Sequence, residues 1–189
     1  MRIGRLTLAL FLAGAFFLAA VIGLDARSSD QHPSPSTTRP GTPARFTYLA
    51  GQHSNRCDLD WRAIGSIAND RRLQGSCCQA MDEAHYRRQV AALRRYRSEA
   101  LIPRDPYDIS VTLAKRLLRL RPRVRLAPAE RGAYRRGLSA SPEHGPCCCH
   151  CWRWEAFSGL AKYLVAERHW PAGRLASLIG DLDGCGGAA

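Results

Sequence analysis

The chain has 189 residues, 28 basic residues against 16 acidic ones, and eight cysteines. Its hydrophobic content of 46% excludes a chain that is disordered throughout, and its length leaves room for one domain with a buried core. The sequence contains no G-x-S-x-G, no phosphate-cradling P-loop and no H-E-x-x-H, so the enzyme classes that carry those motifs are not indicated.

The first residues predict a membrane-directed segment. Arg2 and Arg5 precede a run from Leu6 to Leu24 that has no charged residue. The charged start is typical of a secretory signal, but the run is long enough to cross a hydrocarbon core of about 30 Å. We therefore favour an uncleaved signal anchor over residues 1–24, with a cleaved signal peptide as the alternative. The predicted location is the cell membrane, crossed once with the C-terminal domain outside the cytoplasm; cleavage would make the protein secreted.

A spacer and one domain follow. Residues 25–45 are rich in Pro, Ser and Thr and have no apolar periodicity, which predicts a disordered linker. Residues 46–189 form the predicted cysteine-rich domain. Its fold class is predicted as mainly α, with about five helices organised around a cluster of cysteines.

The helices are predicted from caps, prolines and apolar spacing. The first begins at Ser76 as N-cap, contains Cys77 and Cys78, and runs to about Arg97. Asp108 caps the second, and the fourth begins at Gly145 and Pro146. The second, third and fifth helices are predicted over Ser110 to Leu120, Pro128 to Leu138 and Ala172 to Leu182. Weak strand signals are limited to Phe46–Leu49 and Val124–Leu126.

Reactive side chains are most concentrated at residues 147–151, which read Cys-Cys-Cys-His-Cys. We call this segment the cysteine hub. The other four cysteines, which lie far from it in sequence, are Cys57, Cys77, Cys78 and Cys185. On the helix prediction above, Cys77, Cys78 and the hub each occupy a first helical turn, where the helix dipole favours thiolate. Glycines flank Cys185 and would let its backbone approach a crowded centre closely.

Disulfide bonds are the favoured interpretation of these cysteines. Exported chains of this size more often use eight cysteines as a framework than as a cofactor site. If each hub cysteine pairs with a distant one, every thiol is used. This predicts a disulfide-stapled extracytoplasmic domain with a binding or structural role, no cofactor and no catalytic residue. The geometry is demanding, because four bonds must converge on five residues with Cα separations of about 5 to 6 Å.

A soft-metal site is the competing hypothesis. Thiolates with one imidazole suit zinc or copper, and Cys148 and Cys151 have C-x2-C spacing. The candidate ligands are Cys77, Cys78, Cys147, Cys148, Cys149, His150, Cys151 and Cys185. A chelator would destroy such a site and a reductant would not, whereas disulfides show the reverse sensitivity.

A thiol–disulfide oxidoreductase is the weaker alternative. Cys148 and Cys151 form a C-x-x-C with Trp152 beside it, but no strands are predicted around this motif as a thioredoxin-like site would require. A c-type haem is disfavoured as well, because Cys147-x-Cys149-His150 has one residue too few for C-x-x-C-H. An enzyme is therefore not the favoured prediction.

The arginine clusters at residues 87–88, 94–97 and 119–125 bear on possible partners. The favoured interpretation is that they are solvated helix faces. In an exported domain they could instead contact anionic lipid or cell-wall polymers, while nucleic acid is not predicted as a partner. Contact with the membrane itself is predicted through residues 6–24.

Overall fold

A computed structural model of the chain describes residues 37–187, and this part is mainly helical, as predicted. Its six α-helices are α1 Pro43–Ala50, α2 Glu83–Leu93, α3 Val111–Arg123, α4 Pro128–Ser139, α5 Trp152–Ala166 and α6 Ala172–Asp181. Short 3-10 turns lie at Ala63–Ser66 and Arg94–Tyr96. Two strands, β1 Arg72–Gln74 and β2 Asp108–Ser110, pair antiparallel, with Arg72 opposite Ser110.

The predicted membrane-directed segment over residues 6–24 and most of the predicted linker lie outside the described residues. Between residues 37 and 187, no helix has both the length and the apolar content that a membrane span needs. Helix α1 begins at Pro43, inside the predicted linker, because Thr42 caps it by accepting a hydrogen bond from the Arg45 amide at 3.2 Å. The predicted strand at Phe46–Leu49 is therefore wrong.

Helix α5 lies at the centre of the core. Phe157, Leu160, Ala161 and Leu164 on this helix are fully buried. Helix α3 approaches α5 at Gly159, where a Cβ atom would lie only 2.4 Å from a backbone oxygen of α3. This close approach is what buries the apolar stripe of α3, and α4 and α6 pack on each other beside it.

Three of the predicted helices, α3, α4 and α6, lie close to their predicted bounds. Helix α3 continues past its predicted end to Arg123, and the Val124 amide donates to Leu120 O at 2.9 Å. Val124 thus ends a helix, and the predicted strand at Val124–Leu126 is wrong.

The two helix starts that were predicted to carry cysteines are also wrong. Helix α2 begins at Glu83, because Asp82 and not Ser76 is its N-cap, accepting from the His85 amide at 2.6 Å. Helix α5 begins only at Trp152, so the cysteine hub is an irregular segment ahead of the helix. The argument that a helix dipole favours thiolate therefore applies to Cys151, the N-cap of α5, and not to Cys77, Cys78 or the earlier hub cysteines.

Candidate metal centre

The loop that carries Cys77 and Cys78 is held beside the C-terminal tail. The Cys77 amide donates to Gly184 O at 2.9 Å, and the Gln79 amide donates to Cys185 O at 2.7 Å. Farther along, the Gly187 amide donates to Ala80 O at 2.8 Å. These backbone bonds bring Cys185 next to two cysteines that lie more than a hundred residues earlier in the chain.

Two glycines make this pairing possible. Gly75 has φ +90°, and a Cβ there would lie 1.8 Å from Gln52 O. Gly186 has φ +80°, and its Cβ would lie 2.4 Å from Gln79 O. Both positions require glycine on conformational and steric grounds, and the close approach predicted for the glycines around Cys185 is confirmed at Gly186.

The cysteine hub is fixed from both ends. On one side the Gly145 amide donates to Ser141 Oγ at 3.1 Å, while the Trp154 ring covers Gly145 so closely that a Cβ there would lie 2.6 Å from it. On the other side the Trp152 amide donates to Leu59 O at 3.0 Å. The Cys57 amide donates to Cys77 O at 3.2 Å, and this hydrogen bond places Cys57 beside the other cysteines.

All eight sulfur atoms consequently meet in one place, which we call the thiol cluster. The Sγ–Sγ distances are 2.7 Å for Cys148–Cys185, 3.5 Å for Cys78–Cys148, 3.6 Å for Cys77–Cys78, 3.7 Å for Cys77–Cys185 and for Cys147–Cys185, 3.9 Å for Cys147–Cys149 and 4.0 Å for Cys147–Cys151. Cys57 joins through a group in which its sulfur lies within 4.8 Å of those of Cys78 and Cys149. Cys57 was not among the predicted ligands, and its sequence position carries no signal of this contact.

The thiol cluster has a buried side and an exposed side. Cys77, Cys147, Cys151 and Cys185 are buried, Cys149 is half-buried, and Cys57, Cys78 and Cys148 are exposed. A cavity of about 430 Å³ reaches Cys77 and Cys78, with Met81 and His53 also in its wall. The cluster is thus open to solvent species on one side only.

No two described cysteines lie at the S–S bonding distance of about 2.05 Å. The closest pair, Cys148 and Cys185, is 2.7 Å apart. The predicted framework of four disulfides is therefore not present in this arrangement, in which the eight cysteines are free thiols. The crowding that made converging disulfides difficult is instead accommodated as sulfur–sulfur contact.

A buried arginine lies beside the thiol cluster. Arg153 is 1% exposed, and its guanidinium donates to Pro106 O at 2.9 Å and to Leu182 O at 2.5 Å. Its Nε has no hydrogen-bond partner among the described residues. Burial opposes its charge, but nearby negative groups, of which the sulfurs of Cys147 and Cys77 contribute most, together outweigh that cost and raise the pKa of Arg153. The only sequence signal for this role is a charged residue between two tryptophans at the start of a mostly apolar helix.

The thiols differ in acidity because Cys147 lies among several donors. Hydrogen bonds from Cys151, Cys185 and Cys77, together with the charge of Arg153, hold the pKa of Cys147 well below its ordinary value. Donation to Cys147 in turn raises the pKa of Cys77, Cys151 and Cys185. Burial raises the pKa of Cys148 to about 11. Cys147 is thus the cysteine of the cluster whose pKa is lowered.

Not every predicted ligand joins the thiol cluster. The His150 ring packs against Trp154 in a tilted arrangement, with 4.1 Å between ring centroids, and His150 belongs to none of the groups of potential ligand atoms among residues 37–187. His144 turns its Nδ1 to Ser139 O at 2.8 Å. The structure thus brings the cysteines together and leaves His150 outside the thiol cluster.

The fold and the site define a mainly helical domain built around a single cluster of eight thiols. Comparison with protein-family models, with curated proteins and with solved structures finds no match to this chain. The thiol cluster is the feature of the molecule that points to a function.

Proposed function

We propose that this protein binds a soft metal ion through cysteine thiolates. The supporting observation is that all eight sulfurs share one cluster in which most neighbouring pairs are 3.5 to 4.0 Å apart. A metal–sulfur bond of about 2.3 Å places thiolates about 3.8 to 4 Å apart around one ion. The spacing therefore suits sulfurs joined through a metal better than sulfurs joined to each other.

The surroundings of the cluster support the same proposal. Thiolates select soft ions such as Cu(I) and Zn²⁺. The cavity of about 430 Å³ offers a path for the ion. Its wall contains the soft thioether of Met81 and the imidazole of His53, which suits zinc and copper. Since the thiol cluster includes no group typical of catalysis besides the thiols, we infer binding and not turnover as its role.

We also propose a cellular location and a partner for this protein. If residues 6–24 anchor the chain, the thiol cluster lies outside the cytoplasm, where a bound metal would shield the thiols from oxidation. An anionic membrane or wall polymer remains a proposed partner. It is supported by a cavity of about 390 Å³ whose lining includes Arg39, Arg94, Arg97 and Arg104 and no acidic residue.

Intact-mass analysis of the full chain, purified without reductant or chelator, tests the proposal. We expect native spectra to contain metal, and thiol alkylation to succeed only after denaturation has released that metal. A chelator should then expose the thiols under native conditions. A native mass without metal, and lower by the eight hydrogen atoms that four disulfides remove, would contradict metal binding.

That second outcome would support a disulfide-stapled binding domain, and one observation favours it. Cys148 and Cys185, a hub cysteine and a distant one, approach to 2.7 Å. This is the kind of pairing that the disulfide hypothesis predicts. A single disulfide here would still leave six cysteines in the cluster, so it does not by itself exclude a metal site.

A further inference from the structure

We propose that the thiol cluster is built for a polynuclear Cu(I)–thiolate centre with four copper positions joined by shared sulfurs. This inference rests on the proposed function, because it specifies which soft metal binds and how many ions are held. It follows from how the sulfur atoms are grouped, and not from how many cysteines the chain contains.

The sulfurs form four groups of three, and within each group they all lie within 4.8 Å of one another. The groups are Cys57–Cys78–Cys149, Cys78–Cys148–Cys185, Cys77–Cys147–Cys185 and Cys147–Cys148–Cys149. Around an ion with three thiolate ligands, sulfurs lie about 4 Å apart. Apart from the Cys148–Cys185 contact of 2.7 Å, the groups have the dimensions of trigonal metal positions.

Sharing between the groups indicates that the positions are filled together. Five sulfurs belong to two groups each, namely those of Cys78, Cys147, Cys148, Cys149 and Cys185. No two groups share more than one sulfur. Neighbouring ions would thus meet at a corner, with one thiolate bridging them, and would not compete for the same pair of ligands.

The group size favours Cu(I) over Zn²⁺. Structural zinc sites take four ligands in a tetrahedron, whereas three thiolates suffice for Cu(I), which thiolate ligands select. Among residues 37–187, no four potential ligand atoms of Cys, His, Asp or Glu form one mutually close group. Zinc would need a rearrangement that joins two groups, while copper could use each group of three once the Cys148–Cys185 contact has lengthened.

Charge balance is consistent with several monovalent ions. The seven cysteines of the four groups would carry seven negative charges once their protons leave to water, and four Cu(I) ions would offset four of these. Arg153, buried beside Cys147, offsets one more. Copper stays Cu(I) throughout, so binding needs no electron donor or acceptor. The Cys148–Cys185 contact of 2.7 Å must lengthen, which the exposed position of Cys148 allows.

Titration of the reduced full chain with Cu(I) under anaerobic conditions, in detergent and followed by native mass spectrometry, tests the inference. We expect four copper ions to bind cooperatively, and copper X-ray absorption to show a copper–copper scattering path. A parallel titration uses Zn²⁺. Binding of neither metal would overturn the proposed function as well. Binding of a single ion of either metal, with no copper–copper path, would overturn only the polynuclear inference.

A matched pair of variants tests the sharing of sulfurs. Cys57→Ser and Cys148→Ser make the same chemical change at exposed positions, so neither should prevent folding. Cys57 belongs to one group and Cys148 to two. We expect Cys57→Ser to bind three copper ions, and Cys148→Ser to bind two with a weaker copper–copper signal. Equal losses in the two variants would overturn the assignment of Cys148 as a bridging ligand.

Discussion

The guanidinium of Arg153 fills the space that a side chain at Gly184 would occupy. A Cβ at position 184 would lie 2.4 Å from the central carbon of that guanidinium. The same glycine accepts the Cys77 amide through its carbonyl oxygen at 2.9 Å. One residue without a side chain thus allows both the buried charge and the backbone pairing that places Cys185 in the thiol cluster.

Gly184→Ala should therefore destabilise the protein. The added methyl group collides with a side chain that is 1% exposed and is held by two carbonyl oxygens, so it cannot move aside freely. Overpacking of this kind costs about 1 to 3 kcal/mol. Urea unfolding followed by circular dichroism would measure the loss as a lower midpoint.

Gly173→Ala is the matched control. It adds the same methyl group inside α6, where nothing lies within 4 Å of the new atom. Gly173 lies in the first turn of α6, where alanine is also a better helix former than glycine, so the midpoint should not fall. A Gly184→Ala midpoint that is equal to or above that of the unmodified protein would contradict the role given to Gly184.

Local signals predicted much of the helical fold. Pro128 at a helix start and the apolar spacing of α3 and α6 act within a few residues, and these elements lie close to their predicted bounds. The start of α2 was mispredicted because two caps compete. The Ser76 hydroxyl donates to Cys185 O at 2.8 Å, a partner 109 residues away, and Asp82 is the N-cap of α2 instead. No local pattern in the sequence contains that contact.

In the candidate site, too, local sequence signals predicted one part of the arrangement and long-range contacts determine the other. Cysteine spacing pointed to the hub as a point of convergence, but Cys57 and Arg153 reach the cluster through tertiary contacts. Cys57 arrives by a backbone bond to Cys77 O, and Arg153 by bonds to Pro106 O and Leu182 O. Sequence spacing specifies which residues are chemically able to bind, while long-range backbone pairing decides which of them meet.

Gly186→Ala tests whether metal binding depends on the positions of the cysteines and not only on their number. All eight cysteines remain, but Gly186 has φ +80° and its new Cβ would lie 2.4 Å from Gln79 O. We expect the tail to detach and to remove Cys185 from the two groups to which it belongs. Copper bound per chain should then fall by about half.

Gly65→Ala serves as its control, since nothing lies within 4 Å of a Cβ at position 65. Copper stoichiometry of the two variants, measured by mass spectrometry after the same anaerobic loading, gives the comparison. If Gly186→Ala held as much copper as Gly65→Ala, the position of the tail would not matter for binding.

A buried carboxyl remote from the cysteines should give the stability a pH dependence. Asp105 is 3% exposed, and it accepts from the Tyr86 hydroxyl at 2.8 Å and from the Tyr107 amide at 3.0 Å. Burial raises its pKa from 3.8 to about 6, with Asp108 adding to the rise and Arg45 opposing it. The folded protein therefore holds this proton more tightly than the unfolded chain does.

Because the folded protein binds this proton more tightly, its stability should decrease as the pH rises. The stability that the protonated carboxyl contributes is complete below about pH 4, and it is lost as the pH rises through about 6. Urea midpoints of the protein and of Asp105→Asn, measured from pH 4 to pH 7, isolate this group because Asn does not titrate. The variant should gain stability relative to the protein as the pH rises. Parallel curves for the two would contradict a raised pKa at Asp105.

Mild oxidation of the metal-free protein should first join Cys148 to Cys185. Their sulfurs are 2.7 Å apart, against 3.5 Å or more for the other measured sulfur pairs, so this pair needs the least movement to reach about 2.05 Å. Diamide would take up the two electrons and two protons that the thiols lose. Peptide mapping after short exposure should find this crosslink ahead of any other, and prior loading with Cu(I) should slow it because both sulfurs then bind metal. A first crosslink between Cys77 and Cys78 would show instead that solvent access and not sulfur proximity governs the reactivity of the cluster.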